Sequence, residues 1–115
     1  MINIPTREQL HKLPRLYETE NIPPEDKIVH LHFQVDASHW WVIEWDGHDT
    51  FFGFVQLYGS NQYAKFGYFT LSELMEVKVS GCIEIVNDPF WIPRPVKDVF
   101  MIRNALQLQS IQQDR

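Results

Sequence analysis

The stretch Trp40-Trp41-Val42-Ile43-Glu44-Trp45-Asp46-Gly47-His48-Asp49-Thr50-Phe51-Phe52-Gly53-Phe54 decides the fold. Two apolar and aromatic runs flank Asp46-Gly47, a dipeptide whose glycine supplies the positive φ of a tight hairpin turn. The spacing predicts antiparallel strands over residues 40–45 and 50–57. In the first, Trp41, Ile43 and Trp45 would share one face, with Trp40, Val42 and Glu44 on the other. In the second, Phe51 faces opposite to Phe52 and Phe54.

Working outward, residues 28–35 alternate, with Val29, Leu31, Phe33 and Val35 on one side and Ile28, His30, His32 and Gln34 on the other. That pattern predicts a half-buried strand, joined to the next by a turn at 36–38. Residues 58–63 are a polar loop and 64–69 a fourth strand, Phe66 and Tyr68 opposite Phe69. Thr70-Leu71-Ser72-Glu73 is a capping box that starts a short helix over 71–77. A fifth strand is expected over 81–86, ended by Asn87-Asp88-Pro89. Upstream, Thr6 caps a helix over 7–12 that Pro14 ends, and Pro23-Pro24 hold the approach to the sheet extended. Pro93 and Pro95 do the same before a terminal helix over 96–109, marked by Val99, Ile102 and Leu106. The expected fold is α+β: a small antiparallel sheet of four to five strands, with short helices at the N-terminus and after strand four and a C-terminal helix. Residues 1–106 form the single domain, and 107–115 read as a polar, fraying tail.

Composition sets the class. A chain of 115 residues fits one domain, and its 8 Phe, 4 Tyr and 4 Trp supply most of the core. Cys82 is the only cysteine, so an internal disulfide is excluded and a reducing, cytoplasmic setting is expected. Arg7, Glu8, His11 and Lys12 interrupt the first residues, so neither a signal peptide nor a membrane span is expected. The net charge is −5, and residues 1–50 hold nine acids against four bases. Such a surface disfavours duplex nucleic acid, whose binding rests on Lys and Arg displacing counterions.

Four segments carry a resemblance: Leu13-Pro14-Arg15-Leu16-Tyr17-Glu18-Thr19-Glu20, Glu44 through Gly53, Gly67-Tyr68-Phe69-Thr70-Leu71-Ser72-Glu73-Leu74, and Pro93-Arg94-Pro95-Val96. In order and spacing, over roughly residues 7–100, the chain resembles a bacterial family of small proteins of unknown function carried on plasmids and integrative elements. It departs from the family at Glu84-Ile85-Val86-Asn87-Asp88, where an acidic–basic–acidic cluster is usual, and in residues 100–115, which run past the usual end. The resemblance implies a cytoplasmic protein of a bacterial mobile element. It brings no activity and no functional residues.

Chemistry-bearing residues are few. His30 and His32, two apart on a strand, project from one face and could ligate a metal with Glu44; the plainer reading is two solvated histidines, since zinc needs three or four ligands. The turn Asp46-Gly47-His48-Asp49 could host an acid–base pair, although turns are polar without any chemistry. Cys82, beside Gly81 and Ile83, reads as a buried small hydrophobe. No phosphate-cradling loop, nucleophile elbow or paired-cysteine zinc motif occurs. Neither a catalytic set nor a cofactor is assigned.

The aromatics fall on both faces of nearly every predicted strand, so either both faces are covered or one meets a partner. The leading expectation is a non-catalytic, protein-binding accessory factor of a mobile element. Inhibition of a host defence nuclease, a CRISPR or restriction enzyme, is a use that the acidity permits. Candidate contact residues are Tyr17, Glu20, Trp40, Trp41, Glu44, Asp46, Asp49, Tyr58 and Tyr63. Two alternatives stand beside it: a small metal-dependent or acid–base enzyme using His30 and His32 or the 46–49 turn, and single-strand nucleic-acid stacking on an aromatic face.

Overall fold

The computed structural model describes residues 1–79 and 83–113. Cys82 and the start of the expected fifth strand lie outside them. Helix α1 (Arg7–His11) is closed by the Thr6 hydroxyl and by a reciprocal Gln9 side chain, completing a capping box. Strands β1 (Ile28–Val29), β2 (Leu31–Val35), β3 (Ser38–Trp45), β4 (Thr50–Gln56) and β5 (Lys65–Thr70) follow, then helix α2 (Leu71–Glu76), capped by Thr70 as the sequence predicts. The short strands β6 (Lys78–Val79), β7 (Ile83–Glu84), β8 (Val86–Asn87) and β9 (Arg94–Pro95) lead to helix α3 (Phe100–Gln113). The main sheet is antiparallel in the order β5-β4-β3-β2-β8; β1 pairs with β9, and β6 with β7. The α+β expectation is met.

Two irregularities correct the expected faces. A bulge shifts the β3–β4 register between Val42 and Glu44, so Val42 stands opposite Gly53 but Glu44 opposite Phe52. Beyond it the alternation inverts: Trp45 packs with Trp40 and Val42, not with Trp41 and Ile43. The second break is at His30. Its N–H donates to Val42 C=O at 2.8 Å while β1 turns off to pair with β9, which moves Val29 to the face opposite Leu31, Phe33 and Val35.

Both faces are cores. Phe33, Val42, Trp40, Trp45, Phe51 and Phe69 pack under Leu13, Leu74 and Ile85. On the other side Val29, Trp41, Ile43 and Phe54 pack under Val96, Val99, Ile102 and Ala105, from the turn Val96–Asp98 and α3. The aromatics on both faces are therefore mostly a two-layer core, with Trp40, Trp41 and Phe51 all buried. Helix α3 continues past residue 106, and the Gln109 side-chain amide donates to the C=O groups of Asn61 and Ala64 at 2.7 and 2.6 Å. No described helix is long and apolar enough to cross a membrane.

The sheet edges differ. At β8, Ile2 N–H donates to Ile85 C=O and Asn87 N–H to Ile2 C=O, so the N-terminal arm runs beside the last strand. Edge strand β5 has no such cover among the described residues: the backbone of residues 65–69 bonds only to β4.

Candidate functional site

Alternate residues of an edge strand turn their N–H and C=O groups outward, and those of β5 meet no protein partner among the described residues. Beside this edge lies a groove of about 580 Å³. Trp40, Val55, Gly67 and Phe69 form its floor, and Leu74 and Val77 one wall. Gly67 keeps it open: a Cβ there would meet none of the described residues within 4 Å. A second hollow of about 420 Å³ continues from the groove, sharing Val55, Leu57 and Lys65 and adding Tyr58 and Tyr63. Its lining is mostly apolar, and Tyr58 and Tyr63 are 88% and 76% exposed at its rim.

The opposite face of the same edge carries Tyr68, 56% exposed, beside Tyr17. The Tyr68 hydroxyl titrates above its ordinary value, first through hydrogen bonding with Tyr17 and then through burial. Tyr17 is held there by an unusual backbone, φ 71°, in the left-handed region. Buried Glu44 fixes that segment: its carboxylate accepts the Tyr17 N–H at 3.0 Å, the Thr19 N–H at 3.2 Å and the Thr19 hydroxyl. Lys27 Nζ, also buried, donates to the same hydroxyl at 2.9 Å and to Thr19 C=O. Thr19 thus bridges a buried cation and a buried anion, which suits a segment that must hold one shape. Pro14 C=O, accepting the Trp45 N–H at 2.9 Å, and Arg15, whose guanidinium lies 4.9 Å over the Trp45 ring, complete the attachment.

The chemical candidates have structural employment. Asp46 Oδ1 accepts N–H bonds from His48, Asp49 and Thr50 at 2.7–3.0 Å. Burial pushes its pKa up, but these bonds and His48 prevail and hold it below the ordinary carboxylate value. Asp49 accepts the Ser72 N–H and hydroxyl at the start of α2. His32 is not solvated: its Nδ1 lies 3.3 Å from Asp88 Oδ2 and its Nε2 2.9 Å from His39 Nδ1, with both rings stacked near Trp41. Burial lowers the pKa of His30 and of His32, for which Asp88 pulls the other way. Among the described residues no group of three or more His, Cys, Asp or Glu side chains is placed to hold a metal ion.

Of the sequence candidates, Tyr17, Trp40, Tyr58 and Tyr63 gather around the β5 edge, with Trp40 as buried floor. Trp41 lies in the second core, Glu44 under the 17–19 segment, and Asp46 and Asp49 in the turn, while Glu20 is exposed one residue beyond Thr19. Gly67, Leu57, Val77 and Tyr68, none of them a sequence candidate, also line this edge. A glycine inside a strand of aromatics was the available signal. Comparison with family models, with curated proteins and with solved structures finds no match.

Proposed function

We propose that this chain is a non-catalytic binding protein that takes an extended segment of a protein partner along β5. The observation that carries the reading is the edge of β5, unpaired among the described residues and lying directly beside an apolar groove left open by Gly67. An added strand would satisfy the outward backbone groups and drop alternate side chains into the groove, which is the logic of strand addition. The fitting segment has apolar residues at alternate positions. Exposed Glu18 and Glu20 follow Tyr17 at the Tyr68 end of the edge, and exposed Glu73 and Glu76 follow Thr70 on α2. Lys or Arg flanking the segment at that end would complement them.

The setting implied by the resemblance, a bacterial mobile element, makes a host protein the first partner to test. A defence nuclease is the leading class, because its basic nucleic-acid surface would meet the acidic N-terminal half. Selection of displayed random peptides on the protein, with counter-selection on Gly67→Trp, tests the binding mode. The expected winners share alternating apolar residues with a flanking basic residue and bind the variant at least about tenfold more weakly. Winners that bind Gly67→Trp equally well would overturn the reading.

A further inference from the structure

On the face opposite the groove, a cleft of about 270 Å³ opens between the start of α3 and the loop after β4. It is lined by His39, Gln56, Asn61 and Asn104, with Phe100 and Met101 as apolar surface. Among the described residues no Lys, Arg, Asp or Glu lines it.

A chain of hydrogen bonds sets what the cleft offers. Asp88 is fixed by accepting the Phe90 N–H on Oδ1, and its Oδ2 can only accept from His32 Nδ1. Burial lowers the His32 pKa, so near pH 7 its ring is neutral with Nε2 bare, and His39 Nδ1 donates to it at 2.9 Å. That leaves His39 Nε2 as a lone-pair acceptor with no partner among the described residues. Burial, with neighbouring His32, pushes the His39 pKa down to about 4, so the ring stays neutral near pH 7.

Gln56 adds a second acceptor. Its Nε2 donates to Asn61 Oδ1 at 2.8 Å, which fixes the amide, yet Oε1 is buried and has no partner among the described residues, in a residue only 3% exposed. Buried polar atoms left without partners are uncommon and costly. The Asn61 amide nitrogen and the Asn104 side chain make no hydrogen bond among the described residues, so donors are present too.

We propose that this cleft is a binding site for a small, uncharged, planar ligand whose edge sets N–H donors beside an acceptor, the C=O of a primary carboxamide or the bare ring nitrogen of an amino-substituted nucleobase. The N–H groups meet His39 Nε2 and, after a small rotation that opens it to the cleft, Gln56 Oε1; the acceptor takes a hydrogen bond from an asparagine, and the ring lies against Phe100. The site lies on the other face of the sheet from the groove and stands or falls separately from it.

Nicotinamide and cytosine, titrated separately into 15N-labelled protein, test it through the Gln56 side-chain amide and the His39 ring nitrogens. Saturable shifts at both groups are expected, with nicotinamide alone naming the carboxamide and cytosine alone the nucleobase edge. Binding should weaken about tenfold or more in Gln56→Leu and in Asn104→Ala, the latter removing a side chain that makes no hydrogen bond among the described residues. The N,N-dimethyl derivative of nicotinamide, which has no amide N–H, should leave both groups unmoved. No shift with either ligand up to about 10 mM, or an equal response to the dimethyl derivative, would overturn the proposal.

Discussion

Gly53 and Gly67 face each other across the β4–β5 ladder, yet their surroundings are opposite. A Cβ on Gly53 would lie 1.8 Å from the Trp41 carbonyl oxygen, whereas one on Gly67 would meet none of the described residues within 4 Å. The bulge in β3 brings its backbone over Gly53, and the edge position of β5 leaves Gly67 uncovered. Gly53→Ala should therefore destabilise by about 3 kcal/mol or more, since rigid backbone must move. Gly67→Val should stay within about 1 kcal/mol of the parent, on the stabilising side, because glycine weakens a strand. Urea denaturation of the two variants checks the contrast.

The Lys27–Thr19–Glu44 chain predicts a second set of stabilities. Thr19→Val removes the hydroxyl that bridges both charges and should cost about 2–3 kcal/mol. Glu44→Leu and Lys27→Met each leave a buried charge without its counterpart and should cost about 3–5 kcal/mol. The double variant should cost less than the two singles together by about 1–3 kcal/mol, a coupling that a double-mutant cycle in urea measures.

These contrasts also show what the sequence could carry. Alternation, the Asp46-Gly47 turn, the Thr6 cap and the Thr70 capping box were enough for the first four strands, the hairpin and the starts of α1 and α2; the last strand of the sheet pairs at Val86–Asn87, and the terminal helix begins at Phe100 rather than at 96 because Val96–Asp98 form a separate turn. The bulge after Val42 and the break at His30 were not legible, because period-2 alternation continues through each and only pairing with β4 and β9 reveals the shift. The pairing of His32 with His39 follows from the β2–β3 register, in which Gln34 stands opposite His39 and His32 opposite Trp41. At the edge, the tyrosines were visible as residue types, but the groove depends on Gly67 and on where α2 lands.

Acid should weaken the fold through His39. Its ring titrates near pH 6.5 when unfolded and about 4 when folded, so between those values the unfolded chain binds more protons. This contribution is complete above about pH 6.5, declines as the pH falls through that window, and changes no further below about 4. Urea midpoints measured across the window for the parent and for His39→Gln should show the variant with the shallower slope.

The turn acids serve structure. Asp46→Ala should cost about 1–2 kcal/mol by orphaning three N–H groups, and Asp49→Ala about 1 kcal/mol by orphaning the Ser72 N–H in the first turn of α2. Thermal unfolding of both variants measures this, and peptide affinity at β5 should be unchanged in Asp46→Ala.

The most direct test of the central claim is amide hydrogen exchange with and without a peptide selected on the protein. Strand addition predicts new protection at those amides of Lys65–Thr70 that point away from β4, lost together with affinity in Gly67→Trp. Protection confined to other surfaces, with the β5 amides exchanging as in the free protein, would contradict it.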